Sequence, residues 1–394
     1  MEGGYPSRRS VLKGAGVLVS ASVAGCLNQS SGDKSGDNPT TTSASSMTAT
    51  LSPAGDVSLS GVPEDIFTIY PQYADMAVAL GLGDTVNSVY VPKMSGTTMN
   101  HYYSQLEGVS FEWESLTNPL TDGVAKEQLL ELDSDVHFVD PAWLTTQKGW
   151  SQSDISELTE TVGPFFGNFY SGTHATPPTE YGEDYQYYTL WELFEAVSQL
   201  VGRHDRFTAL KEEYDGLIST IEDRLPPKAE RPTAVRATLG DGNFYTYHLN
   251  RPGYWLADTR PLAATDAFAD TEWESGLWGT VGYEAMAEAD PDVILHLWGM
   301  TPNYSTKETK ATLSSHPVAK KLQAVQNERI YAQGMRYQGP IMNLFQLEMT
   351  AKQLYPEQFG AWPSYTDGEP YPTIPDGERL FDRTTVAQII TGEH

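Results

Sequence analysis

The segment Asp205–Leu225 limits the possible folds more than any other stretch of this chain. Phe207, Leu210, Tyr214, Leu217, Ile218, Ile221 and Leu225 recur at intervals that keep one face of an α-helix apolar. Pro226-Pro227 stops the helix, because proline has no N–H to give and its ring clashes with the preceding turn. At about 1.5 Å per residue the helix is roughly 30 Å long, the width of a small domain. A shorter helical pattern, Leu190 to Val201, precedes it and ends at Gly202. A helix of this length is either a surface helix of one large domain or a strut between two lobes. Roughly 335 residues follow residue 60, more than one core comfortably covers, which favours two lobes.

On both sides of the strut, short β-like runs alternate with helical patterns. The runs are Ile66–Ile69, Val86–Val91, Val136–Val139, Ala234–Leu239, Val293–Leu297 and Ile330–Ala332. Alternation of this kind predicts an α/β fold: two lobes, each with a mostly parallel sheet flanked by helices, joined by one long helix, with a ligand cleft between them. The expected boundaries are a first lobe over 60–202, the connecting helix over 203–227 and a second lobe over 228–394. One segment is echoed across the strut. Glu127 to Val136 and Glu284 to Val293 each open with Glu and place Asp-Ser/Pro-Asp-Val at the same offset. Each reads as a short helix, a tight turn and a buried strand.

These two segments resemble the helix-then-Pro-Asp-strand element found in both lobes of the substrate-binding proteins for ferric siderophores, haem and vitamin B12. Gly202-Arg203-His204-Asp205 resembles that family's Gly-Arg turn. His316-Pro317-Val318-Ala319, running on through Leu322-Gln323-Ala324-Val325 to Ile330-Tyr331, resembles another of its stretches. Leu347 to Phe359, with Leu354-Tyr355-Pro356-Glu357, resembles its closing helix. The resemblance covers most of residues 60–360. It implies a non-enzymatic subunit of an ABC importer, working with a permease and its ATPase, that binds an iron chelate and has no cofactor of its own. It also implies that Glu127 and Glu284, one on each lobe, dock on arginines of the permease. The alternative for each is an acidic residue favouring a helix N-terminus.

In open parallel sheets, ligands sit beyond the carboxyl ends of the strands. Applied here, that rule selects Tyr70, Tyr73, Lys93 and Trp143 in the first lobe, with Phe169 and Tyr170 in a nearby loop. In the second lobe it selects Tyr245, Tyr247, Trp298, Met300, Arg336 and Tyr337. Tyrosine and tryptophan offer large, stiff surfaces with a polar edge, suited to a bulky organic ligand. Arg336 and Lys93 suit an anionic group on it. This points to a ferric siderophore ahead of a corrinoid or haem. With 22 tyrosines and 9 tryptophans in the chain, many aromatics must also fill core or surface.

The N-terminus predicts the compartment. Ser7-Arg8-Arg9-Ser10-Val11-Leu12-Lys13 matches a twin-arginine export signal, and an apolar stretch too short to span a membrane follows. Val23-Ala24-Gly25-Cys26 matches a lipobox, with Cys26 the only cysteine of the chain and so without a disulfide partner. The expected product begins at Cys26, lipid-anchored on the outer face of the cell membrane, with residues 26–59 as a flexible tether on their Ser/Thr/Gly-rich composition. Removing residues 1–25 takes away three cations and one anion and moves the net charge from -27 to -29. A surface this acidic excludes nucleic acid as a partner and suits a halophilic archaeon. No zinc-protease helix, nucleophile elbow or phosphate-binding loop is present in the sequence. A bare Zn or Mn ion held by His101, His174 and His248 is the rival binding chemistry, although the eight histidines are scattered and no metal ligand is assigned.

Overall fold

Residues 47–59, read from composition as tether, form an antiparallel hairpin of β1 (Met47–Leu51) and β2 (Gly55–Leu59). The computed structural model describes residues 46–394, so the export signal, Cys26 and the tether as far as residue 45 lie outside the described residues. The hairpin forms because its few apolar residues alternate. Ala49, Leu51, Val57 and Leu59 point one way and are buried against the helix Leu190–Leu200. Averaging composition over the whole segment hides that period of two.

The first lobe pairs β3 (Ile66–Thr68) with β4 (Val136–Phe138) in parallel. The expected strand Val86–Val91 is not a continuous strand: only Val86 and Ser88 make isolated bridges, and Val91 turns into the left-handed conformation. Single bridges join Ile66 to Val86, Ser88 to Thr117 and His137 to Phe165, so the sheet is completed by interrupted segments. The second lobe carries a six-stranded sheet, ordered β10 (Ile330–Ala332), β9 (Val293–His296), β5 (Thr233–Gly240), β6 (Asn243–Tyr247) and β8 (Trp278–Val281), with β7 (Thr265–Asp266) also on β5. The β10–β9–β5 side is parallel, while β6 and β8 are antiparallel. The sheet is therefore mostly parallel, as expected, with an antiparallel side formed by β6 and β8, which were not among the expected strands. The turn from β5 to β6 has positive φ at both Asp241 and Gly242, and Asp-Gly is the pair that a tight hairpin turn selects.

The strut is a helix over His204–Arg224, with Phe207, Leu210, Leu217 and Ile221 buried on its inner face. The echoed segments prove to be matching units. Each is a seven-residue helix, Lys126–Leu132 and Tyr283–Ala289, with one buried residue, Leu129 or Met286. Each ends at an aspartate in the left-handed conformation, Asp133 or Asp290. Two residues on, Asp135 accepts from the Glu64 N–H at 2.8 Å and Asp292 from the Thr233 N–H at 2.9 Å, tying each unit to the start of the neighbouring strand's chain.

The chain beyond residue 340 does not stay within the second lobe. All of the helix Pro340–Leu354 is buried, and it packs against the first-lobe helices Pro71–Ala79 and Pro92–Tyr103. Asp75 fixes its start by accepting from the Ile341 and Met342 N–H groups at 3.0 and 3.2 Å. Farther along, Glu348 pairs with Arg383 at 2.5 Å, and Arg383 donates to Gln105 of the first lobe. A helix buried on every side has no single apolar stripe, so periodicity cannot assign it to a lobe.

Candidate functional site: an aromatic cleft around Arg336

The residues between β10 and the helix Pro340–Leu354 form a loop pinned at three points. Gln333 donates to Gln353 at 2.5 Å, Gln346 to the Met335 carbonyl at 3.2 Å and Gln338 to Asp258 at 2.8 Å. Arg336 projects from this loop into a set of rings. Its guanidinium lies 4.2 Å from the centre of Trp255, 4.8 Å from Tyr337, 5.6 Å from Trp298 and 5.7 Å from Tyr247. It donates to the Tyr337 hydroxyl at 2.7 Å and to the Tyr247 hydroxyl. Its Nε has no hydrogen-bond partner among the described residues. Burial works against the charge, but the phenolic oxygens of Tyr337 and Tyr247 outweigh it and hold the guanidinium charged. The chain has 52 acidic residues, yet among the described residues none pairs with Arg336.

The facing wall comes from the first lobe. Tyr70 follows β3 and precedes the helix Pro71–Ala79. Its ring stacks on Phe169 at 5.1 Å, meets Trp143 edge-on at 5.6 Å and reaches Tyr337 of the second lobe at 4.9 Å. Trp143 and Phe169 are held by one carboxylate. Asp140 accepts from the N–H groups of Ala142 at 2.7 Å, Trp143 at 3.3 Å and Phe169 at 2.8 Å, and from the Tyr185 hydroxyl at 2.6 Å. Burial raises its pKa to about 6 despite these donors. Tyr170 extends the wall edge-on to Phe169, and burial pushes its phenol up to about 12.

Tyr70, Trp143, Tyr170, Tyr247, Trp298, Arg336 and Tyr337 thus meet directly or through Phe169. Four expected residues stand apart. Tyr73 sits behind the wall, stacked on Phe138, with its hydroxyl accepting from the Asn168 N–H. Met300 is fully buried, its sulfur accepting from Tyr102. Tyr245 lies over Gly240. Lys93 is exposed in the first turn of the helix Pro92–Tyr103. The sequence reading missed Trp255, Tyr90 and Asp140. Trp255 touches Phe169 at 6.0 Å and Tyr337 at 5.3 Å, so it joins the two walls, while Tyr90 meets Tyr337 edge-on at 6.4 Å.

Two backbone outliers follow strand-like segments here: Trp298 at φ 71° and Val91 at φ 42°. A large or β-branched residue in the left-handed region costs on the order of 1–3 kcal/mol, and such strain concentrates at binding sites. The histidines do not converge. His101 bonds the Met300 carbonyl, His174 packs on Tyr187 and His248 pairs with Asp266 at 3.0 Å. Among the described residues no three of His, Cys, Asp and Glu are grouped to hold a metal ion.

Two α/β lobes, one strut helix and a cleft walled by both lobes define a two-lobed solute-binding protein. The family described as periplasmic binding protein matches residues 66–337, and the chain belongs to it. Its members are extracytoplasmic solute-binding proteins that work with ABC permeases and are not enzymes. The match ends at Tyr337, so β1–β2 and the chain after the site loop lie beyond it. Among solved structures, the chain is similar to an ABC-type Fe3+-hydroxamate transport protein from Saccharomonospora viridis, with 18% identity, a TM-score of 0.52 and 78% of this chain and 98% of that one covered. It is similar to the heme binding protein HmuT, at 16% identity and TM-score 0.54, over 83% of this chain and 96% of that one. A periplasmic solute binding protein from Mycobacterium smegmatis matches at 16% identity and TM-score 0.54, over 78% and 97%. At these identities the likeness concerns the fold. No curated protein matches the sequence.

Proposed function

We propose that the protein is the lipid-anchored substrate-binding subunit of an ABC importer and that its cleft captures a ferric siderophore. Arg336 carries the ligand reading. It is a cation set among ring faces and phenols, with no carboxylate partner among the described residues, inside a strongly acidic protein. Such a group gains most from a bulky ligand that brings negative charge and apolar surface together. The similar Fe3+-hydroxamate and heme binding structures are consistent with iron-bearing cargo. A corrinoid or haem is the second reading, favoured by the faces of Tyr70, Trp143 and Trp298, against which a macrocycle would lie. Met300, turned towards Tyr102, is not placed to serve as its axial ligand.

Cys26 supports the anchor, and Glu127 and Glu284 support docking: both glutamates are exposed in the first turn of matching helices. The test combines binding and cell assays. Trp143, Trp255 and Trp298 should lose fluorescence when the purified protein meets its ligand, in a panel of ferric catecholate, ferric hydroxamate, cyanocobalamin and haemin. Binding of cyanocobalamin alone would overturn the siderophore reading. In cells, Glu127→Ala with Glu284→Ala should abolish uptake at unchanged affinity, and Cys26→Ala should move to the soluble fraction. Wild-type uptake, or membrane attachment of the cysteine variant, would count against docking and anchor respectively.

A further inference from the structure

We infer that residues 361–371 form a strap across one flank of the cleft, and that the length of this strap sets how far the two lobes can part there. The strap lies beyond the family match, and its action does not depend on which ligand the cleft takes.

On this flank the lobes touch along a seam. The first lobe contributes the helix Pro92–Tyr103, and the second contributes residues 300–304, which follow β9. His101 Nδ1 meets the Met300 carbonyl at 3.3 Å. The Tyr102 hydroxyl donates to the Met300 sulfur at 3.7 Å, and the Asn303 amide to the Met94 sulfur at 3.4 Å. Two of these three bonds end on thioether sulfur, a weak acceptor. The seam by itself therefore resists opening poorly.

The end of the chain crosses the seam and is riveted on both sides. On the second-lobe side, Asp367 accepts from the Ser305 hydroxyl at 2.7 Å and from the N–H groups of Thr306 at 3.1 Å and Lys307 at 3.0 Å. These are the first N–H groups of the helix Thr306–Ser315, which have no partner within the helix. Hydrogen bonds to a carboxylate are about twice as strong as neutral ones. On the first-lobe side, the Tyr371 N–H donates to the His101 carbonyl at 3.0 Å, and the Tyr371 carbonyl accepts from Gln105 at 3.0 Å. The Tyr371 ring is buried 5.7 Å from Tyr102 and 4.9 Å from Phe345, and its hydroxyl donates to Glu348 at 2.9 Å. Farther on, Arg206 of the strut donates to the Ile390 carbonyl at 2.8 Å, which fixes the rest of the tail.

Between the rivets only Gly368, Glu369 and Pro370 intervene, all exposed. The step from Asp367 to Tyr371 spans at most about 14 Å when fully extended. Wider parting of the lobes on this flank has to break the three bonds of Asp367 or pull a buried tyrosine from its socket. A weak seam under a short, firmly held strap can breathe but cannot gape.

Pulsed electron-spin distance measurements without ligand test this. Nitroxides are placed at Glu107→Cys and Lys310→Cys, exposed positions on either side of the seam, in the full chain carrying Cys26→Ser. The parent should give one narrow distance. Inserting Gly-Ser-Gly-Ser after Gly368 removes no contact and should add a population at least about 5 Å longer, within the extra reach of four residues. The urea midpoint should hardly move, because lengthening a surface loop costs little. Asp367→Ala should show the same longer population, whereas Asp367→Asn, which keeps one acceptor oxygen, should stay closer to the parent. Unchanged distances in both the insertion and Asp367→Ala overturn the inference. A shift in Asp367→Ala without one in the insertion overturns it too, because Asp367 would then act as a helix cap and the strap's length would be irrelevant.

Discussion

Asp140 shows how one buried side chain can shape a wall of the cleft. Its carboxylate fixes the backbone of Trp143 and Phe169 and the hydroxyl of Tyr185. Asp140→Ala removes a helix cap, worth about 1 kcal/mol, and leaves buried donors unpaired at about 1–3 kcal/mol each. The expected result is a loss on the order of 2–4 kcal/mol in urea denaturation, with ligand affinity down more than about tenfold. Unchanged affinity would show that the wall holds its shape without this residue. Arg336, Tyr337 and Trp298 were legible in the sequence because they lie in the loops that follow expected strands. Trp255 was not, because it lies in a single 3-10 turn, Tyr254–Leu256, with no periodicity to mark it. A signal for Asp140 did exist: Asp-Pro three residues ahead of Trp143 is a cap followed by a first-turn proline.

Elements are joined by a second buried aspartate. Asp75, on the helix Pro71–Ala79, accepts from the first N–H groups of the helix Pro340–Leu354 and from the Tyr103 hydroxyl. Burial outweighs those bonds and raises its pKa from 3.8 to about 7. The folded state therefore holds this proton more tightly than the unfolded chain does. The protonated group's contribution is fully present below about pH 4 and is lost as pH rises towards 7. Asp75→Asn cannot ionise, so its stability relative to wild type should improve between pH 4.5 and 7.5 in urea denaturation. Parallel curves for the two proteins would mean that Asp75 does not titrate in this window. The strut was legible to within a residue at each end, because its apolar face is continuous. β6 was not. The strand rule places Tyr245 and Tyr247 beyond Ala234–Leu239, whereas they lie on β6, and Asp241-Gly242 ahead of them is the hairpin signal. β1 and β2 were missed because composition was weighed there instead of alternation.

In the whole molecule the strut is only one of several links between the lobes. Gln72 donates to Tyr254, the Tyr254 hydroxyl to the Asn168 carbonyl and Trp191 to Asn343. The helix Pro340–Leu354 is wedged against both lobes, so large hinge opening would break buried bonds at several places together. Around this braced body the charge is unevenly placed: 52 acidic residues against 25 basic, yet at the cleft the Arg336 guanidinium has no carboxylate partner among the described residues. For an anionic cargo, the outside of the protein is a barrier and the inside a well. Encounter should be slow in dilute buffer and should speed up as added salt thins the repulsive field. Escape, governed by dry contacts, should hardly respond to salt. Stopped-flow traces at 0.1 and 2 M salt would separate the two rates, and an association rate that falls with salt would contradict this picture. A receptor built this way gains speed in brine, where most electrostatically steered partners lose it.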